Sequence, residues 1–268
     1  MVIGDVHGCV DELCMLLKGV DFSPGDLVLF LGDLTAKGPD SVAVVRLARQ
    51  IGALGVRGNH DFEVIKWIEA LRKCPSKPTK LDASEHTRIA AKLVSQDAAW
   101  LKSCPWYIHS PDLEMYFVHA GFVPWVPPRQ QNPRLMMNMR SILTDKTVLT
   151  TYPSPAGDIG GNLLAEYDRE ASWARLWKGP EIVVYGHDAQ RGLQLFEKAV
   201  GIDTACVYGG RLTCMVLPEK KLVSVPAKRA YTGWERRGRR RKTKLFRAPG
   251  DQRWRTIGEM LEDEWKGP

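Results

Sequence analysis

Short apolar runs alternate with helix-period segments through the first half of the chain. Val2-Ile3, Leu27 to Leu31 and Ala53 to Val56 are strand-like, whereas Val10 to Leu17, Asp40 to Arg49 and Phe62 to Arg72 carry apolar residues at helical spacing. Strand, loop and helix in repetition predict right-handed crossovers and a largely parallel sheet. Ligands of such sheets lie beyond the carboxyl ends of the strands. That is where Asp5, Asp33 and Asn59 fall.

The pattern changes after Arg72. Cys74 to Lys80 is rich in Pro, Ser and Lys and reads as a loop. Ala83 to Leu93 and Ser95 to Lys102 read as helices, the second with Ser95 as its N-cap. Tyr107-Ile108 and Met115 to Val118 read as strands around a turn at Ser110-Pro111-Asp112. Val123 to Arg140, rich in Pro and Met, is expected to run near the site, and Thr150 to Asn162 reads as a loop. Glu181 to Tyr185, Leu193 to Phe196, Ala199 to Gly201, Arg211 to Leu217 and Lys221 to Val225 are strand-like and predict a second, more antiparallel sheet.

A length of 268 residues gives room for one sizeable α/β domain or two small ones. No run reaches the roughly 18 apolar residues of a membrane span. The six cysteines show neither a C-x-x-C pair nor a secreted framework spacing, so reduced thiols in an intracellular, cytoplasmic protein are expected. Only Met1 to Gly4 precede Asp5, against the ~5 residues usual for a strand, so further residues upstream are expected.

Charge is unevenly placed. Ala227 to Pro268 holds 13 Lys/Arg and 6 Asp/Glu, so its surplus equals the +7 of the whole chain. The reading is a balanced domain over residues 1–226 and a basic, partly disordered tail over 227–268. WERRGRRRKTK (Trp234 to Lys244) has the composition of a nucleic-acid or polyanion contact, of a localisation address or of a solvated tail.

Five clusters carry the chemistry: Gly4-Asp5-Val6-His7-Gly8, Gly32-Asp33, Gly58-Asn59-His60-Asp61, His119-Ala120-Gly121 and Gly186-His187-Asp188. Each stands where a strand-like run ends and a glycine frees the backbone. Any one of these residues alone reads as a turn or core residue; five clusters in this order point to a two-metal hydrolase. Asp5 and His7, two apart, would face one way in an extended segment and hold one cation. The two oxygens of Asp33 can bridge to a second, which Asn59, His119 and His187 would complete. Mixed nitrogen and oxygen ligands suit Mn, Fe, Zn or Co better than Mg or Ca. Two such ions about 3.5–4 Å apart would acidify a shared water and hold a phosphoryl oxygen.

The order and wording of these clusters resemble the calcineurin-like metallophosphoesterases, and within the phosphoprotein phosphatase superfamily the ApaH-like branch. The second cluster reads GDLTAKGPDS where protein Ser/Thr phosphatases read GD-x-x-DRG, the third ends in Asp61 rather than Glu, and GIDTACVYGGRLTCMVLP (Gly201 to Pro218) looks like that branch's closing hairpin. The resemblance spans about Val2 to Val225. It implies a four-layer αββα sandwich of two mixed sheets. It also implies two metals, one on Asp5, His7 and Asp33 and the other on Asp33, Asn59, His119 and His187.

The resemblance further makes His60 the residue that protonates the leaving oxygen. Related protein phosphatases support that histidine with the second acid of GD-x-x-DRG, whose place here is Ala36. Loss of that carboxylate should lower the His60 pKa and loosen its orientation. Such a site suits a phosphate leaving group better than a serine alkoxide. Lys37 stands where those phosphatases grip phosphate with Arg, and lacks its bidentate fork. Arg57 and Arg191 read equally as phosphate contacts or structural salt bridges, Tyr208 as an edge of the site or as core. Asp203 would orient a ligand histidine or the hairpin. Trp173 and Trp177, at helical spacing, read as core rather than as a base-stacking platform.

The expected function is hydrolysis of phosphoanhydrides, in dinucleoside polyphosphates, inorganic polyphosphate or an mRNA cap. A protein Ser/Thr phosphatase and an inactive RNA- or protein-binding adaptor are the alternatives.

Overall fold

A computed structural model describes residues 1–73, 84–142, 148–149, 172–233, 245–246 and 255–256. The loops expected at Cys74 to Lys80 and Thr150 to Asn162, and most of the basic tail including residues 234–244, lie outside the described residues.

Two five-stranded sheets form the centre. In the first, β1 (Val2–Ile3), β2 (Leu29–Phe30) and β3 (Leu54–Gly55) run parallel, joined through α1 (Val10–Gly19) and α2 (Ser41–Gln50). Then come α3 (Asn59–Lys73), α4 (Glu85–Lys92) and α5 (Ser95–Ser103). The second sheet holds β4 (Tyr107–Ser110) and β5 (Met115–Val118). After α6 (Pro133–Asn138), the short β6 (Ser141–Ile142) and β7 (Val148–Leu149), and α7 (Trp173–Leu176), it adds β8 (Ile182–Tyr185), β9 (Gln194–Phe196) and β10 (Ala199–Gly201).

The closing hairpin departs from expectation. β11 (Arg211–Val216) and β12 (Lys221–Pro226) join the first sheet, where β11 pairs antiparallel with β1 as Val2↔Met215 and Ile3↔Cys214. β1 has β2 on one side only, so the hairpin satisfies the hydrogen-bonding groups on its other side. The second sheet is therefore no more antiparallel than the first. Its β5, β8 and β10 run parallel between antiparallel β4 and β9.

Strand alternation sorts the core into three seams. Val2, Leu29, Leu31 and Met215 point inward from the first sheet against Met115, Phe117, Val184 and Ile202 of the second. Ile3, Phe30, Leu212 and Cys214 point the other way, under Leu13 and Leu16 of α1 and Val44 and Ala48 of α2. On the far side Val118, Val183 and Tyr185 meet Met136, Met139, Trp173 and Trp177. Helix, sheet, sheet and helix are the four expected layers, and both tryptophans belong to the core.

Helix starts follow local chemistry. Asp40 caps α2 by accepting from the Ala43 N–H at 2.9 Å, and Ser84 caps α4 by accepting from Thr87 at 3.1 Å. Ser95, expected as a cap, is instead the first residue of α5, and Val94 precedes it without a side-chain bond. The chain stays on the body past Pro226: buried Glu12 accepts from the Lys228 N–H at 2.9 Å and the Tyr231 hydroxyl at 2.8 Å.

Phe117 lies at the inter-sheet seam and is 2% exposed. Phe117→Ala should cost about 3–5 kcal/mol of unfolding free energy in urea titration. A loss under about 1 kcal/mol would mean that the sheets do not pack as described.

Candidate metal centre

All five clusters meet at one end of the sandwich, on loops that leave the carboxyl ends of β1, β2, β3, β5 and β8. Asp5 and His7 follow β1, Asp33 follows β2, Asn59 opens α3 after β3, His119 follows β5 and His187 follows β8. The segment after β1 is not extended as expected. His7 has φ 47, and its turn is held by His7 N–H to the Asp33 carbonyl and Gly8 N–H to the Leu34 carbonyl, both 2.8 Å. Asp33 (φ 51) and His187 (φ 65) share that left-handed backbone. At non-glycine positions it costs about 1–3 kcal/mol each and collects at functional sites.

Close approach explains two of the glycines. A Cβ on Gly58 would collide with the backbone nitrogen and a carboxylate oxygen of Asp33, and one on Gly186 with the Asp5 carboxylate. Glycine there lets the loops carrying Asn59 and His187 close onto the two acids.

Three histidines are fixed in the same way. His7 Nδ1 donates to the Thr35 carbonyl at 2.9 Å, His119 Nδ1 to that of Leu31 at 2.8 Å, and His187 Nε2 to that of Asn138 at 3.2 Å. In those tautomers each ring turns its other nitrogen, with a lone pair, toward Asp33, as metal-ligating histidines do. His7 Nε2 is 3.4 Å from one Asp33 oxygen and His119 Nε2 3.6 Å from the other. His119 Nε2 also lies 3.1 Å from Asn59 Oδ1 and 3.1 Å from His187 Nδ1. These are acceptors facing acceptors, an arrangement that a cation between them relieves.

The electrostatics agree. Asp5 is buried and its Oδ2 has no hydrogen-bond partner. Burial, with Asp203 and Asp33 nearby, pushes the Asp5 carboxyl well above its ordinary range. Burial lowers the pKa values of His7, His119 and His187, which keeps them neutral and able to ligate. Burial alone would raise Asp33 as well. The surrounding imidazoles and the Lys37 ammonium outweigh it and hold that carboxyl well below the ordinary range. The Lys37 Nζ sits 2.9 Å from His7 Nε2, drawn as any cation would be toward the mouth of this acidic pocket. Two groups, His7, Asp33 and His60 on one side and Asp33, His119 and His187 on the other, are compact enough to hold an ion each. Asp5 stands just outside the first, 4.0 Å from His7 Nε2. The donor set therefore fits two divalent ions that share Asp33.

Other expected residues fall into place differently. Tyr208 edges the site, with the Lys37 ammonium 5.5 Å from its ring centroid. Asp203 accepts from the Ala205 N–H at 3.0 Å, in the loop that leads into β11. Arg191 is buried against Asp188 at 2.7 Å and Ser141 Oγ at 2.7 Å, so its guanidinium braces the His187 loop and is committed there. Arg57 donates to the Lys102 carbonyl at 2.6 Å and stacks on Trp106 at 4.4 Å, tying β3 to α5.

Two residues were given no role by the sequence reading. Asp61 is wholly buried and accepts from Leu34, Thr35 and Gly58 amides and from the Thr35 hydroxyl, clamping the Asp33 loop to α3. Burial next to Asp33 pushes its pKa up to about 7. His86 Nε2 lies 2.9 Å from His60 Nδ1, so His60 is held rather than loose. The lowered His60 pKa is found, at about 4, with burial as its main cause. Five of the chain's six histidines converge here.

Comparison with known proteins follows the same line. The calcineurin-like phosphoesterase family matches residues 1–191. The bis(5'-nucleosyl)-tetraphosphatase PrpE [asymmetrical] of Halalkalibacterium halodurans is 30% identical, over 85% of this chain and 93% of that protein. The symmetrical bis(5'-nucleosyl)-tetraphosphatase of Cronobacter sakazakii is 28% identical, over 82% and 91%. A crystal structure of a candidate diadenosine tetraphosphatase superposes with TM-score 0.68 at 35% identity, over 87% of this chain and 93% of that one. A metallophosphoesterase from Sphaerobacter thermophilus, 14% identical with TM-score 0.51, shares the fold over 85% and 87%.

Manganese should raise the thermal midpoint of the wild-type protein, because the candidate ligands converge in the folded state. His119→Ala and His187→Ala should each lose most of that rise in differential scanning fluorimetry. An equal rise in all three proteins would place the ions elsewhere.

Proposed function

The chain belongs to the calcineurin-like phosphoesterase family, and from that premise we propose that its centre cleaves the phosphoanhydride bonds of dinucleoside polyphosphates. It is a metallophosphoesterase, and the proposal concerns its substrate and the work of each residue. Asp5, His7 and Asp33 would hold one ion, and Asp33, Asn59, His119 and His187 the other. When bound, the two ions supply an acidified water for in-line attack and neutralise charge on the phosphoryl group. His60 delivers a proton to the departing oxygen. Lys37, displaced outward from His7, meets the phosphate chain with Tyr208 beside it.

The observation that carries the reading is that, among the described residues, His60 Nδ1 meets a second imidazole and not a carboxylate. Ala36 is fully buried and its methyl offers nothing to that ring, whose hydrogen-bond partner is a second imidazole. Burial leaves His60 near 4, so little imidazolium is present at neutral pH. A weak proton supply serves a phosphate leaving group, with its second pKa of about 6. A serine alkoxide needs much more. The names of the relatives favour dinucleoside tetraphosphates over polyphosphate or capped RNA. Ala36 and Lys37 speak against a protein Ser/Thr phosphatase, and a complete ligand set against an inactive adaptor. The five cysteines among the described residues are free thiols, which supports a cytoplasmic location. No helix among the described residues is long and apolar enough to cross a membrane.

With manganese present, kcat/KM on diadenosine tetraphosphate should exceed that on a phosphoserine peptide by at least about 100-fold, the scale of one proton-transfer contribution. Product analysis reads symmetrical or asymmetrical cleavage in the same assay. Ala36→Asp should narrow the gap; equal rates on both substrates, or no change in Ala36→Asp, would count against the reading.

The positive tail supports a second contact, with the polyanionic part of a substrate. Deleting Arg236 to Lys244 should raise KM on RNA or polyphosphate and flatten its salt dependence. Unchanged values would remove the tail from substrate binding.

A further inference from the structure

The first turn of α4 grips the centre at two neighbouring residues. Glu85 accepts from the Lys37 backbone N–H at 2.8 Å, holding the Ala36-Lys37 turn, where both residues have left-handed backbone (φ 69 and 68). His86 meets His60 from the other side. The two rings lie within 15° of parallel, with centroids 5.2 Å apart and facing nitrogens 2.9 Å apart. The centroids are farther apart than the nitrogens by about the width of a ring, so the rings touch edge to edge, joined by an N–H···N bond. His60 is also fixed at its backbone, whose N–H donates to Asp33 Oδ1 at 2.9 Å. Main chain and side chain are both anchored. The His7 ring, 5.1 Å away and nearly perpendicular at 84°, closes a third side.

We propose that His86 is a positioning residue for His60, and that it adapts the centre to good leaving groups. This rests on the reading of His60 as proton donor. His86 Nε2 accepts from the His60 Nδ1–H, which leaves His60 Nε2 as the nitrogen facing the departing oxygen. In its imidazolium form His60 passes the Nε2 proton to that oxygen as the oxygen's bond to phosphorus breaks, and the neutral ring that remains keeps its Nδ1–H on His86. A carboxylate in the same place would give the same alignment and add a negative charge that strengthens the hold on the proton. A neutral imidazole gives alignment alone. Ser84, capping the helix through Thr87, keeps His86 at the helix start, where its ring can reach α3.

The test is leaving-group dependence in the manganese-loaded full chain. His86→Ala should lower kcat on phenyl phosphate, whose leaving oxygen is strongly basic, by about tenfold or more, a fraction of what a proton donor contributes. The loss on 4-nitrophenyl phosphate should be much smaller, with KM on both and the manganese-induced thermal shift retained. His86→Gln, whose side-chain oxygen can accept the same hydrogen bond, should recover most of the phenyl phosphate rate and guards against misfolding of the alanine variant. His86→Asp should favour phenyl phosphate further. Equal losses on both esters in His86→Ala, or no loss on either, would overturn the proposal. His60→Ala separates the two levels: leaving-group dependence there without any in His86→Ala sinks only the role of His86. Its absence in His60→Ala sinks the proton-donor reading itself.

Discussion

Every strand of the centre is tied to Asp33. Its carbonyl accepts from His7, its carboxylate accepts from the first turn of α3, and its two oxygens face His7 on one side and His119 on the other. Residue 33 must hold a left-handed backbone while Gly58 lies against it with no side chain of its own. Beneath it, Asp61 binds the amides of the same loop. The sandwich brings five loops to one end, and this carboxylate decides how they meet. It can do so as an anion because the His60 N–H at the start of α3 donates to it and the Lys37 ammonium lies nearby, which offset the cost of burial.

That arrangement leaves a debt of positive charge. Neutral imidazoles point lone pairs at one another and at Asn59, and Asp5 carries a buried oxygen with no partner. Lys37 answers part of the demand from the mouth of the pocket. Divalent ions answer the rest, and the chemistry that follows depends on how the chain treats the departing oxygen. There the sequence replaces an acid by Ala36 and the fold supplies His86, an orienting group without charge. On the proposed reading, substrate preference is set one layer away from the metal ligands.

Much of this was legible in the residues. Strand-end positions of Asp5, Asp33, Asn59, His119 and His187 could be read because glycine and polar ligands interrupt short apolar runs, and the structure brings all five together. The role of Arg191 stayed open because sequence spacing cannot tell a guanidinium bound to Asp188 from one turned to solvent. The hairpin at Arg211–Val216 and Lys221–Pro226 was legible as strands but not as part of the first sheet. Its partner, β1, lies some 200 residues away in the chain, and local pattern carries no information on such pairing. His86 was hidden for a related reason: it stands on a helix whose approach to α3 is a tertiary fact.

The central claim is that two cations share the Asp33 carboxylate. Anomalous diffraction from manganese-soaked crystals tests it most directly. The account predicts two peaks about 3.5–4 Å apart, each within bonding distance of an Asp33 oxygen, with His7 on one and His119 and His187 on the other. A single peak, or two peaks that leave Asp33 outside both coordination shells, would contradict it.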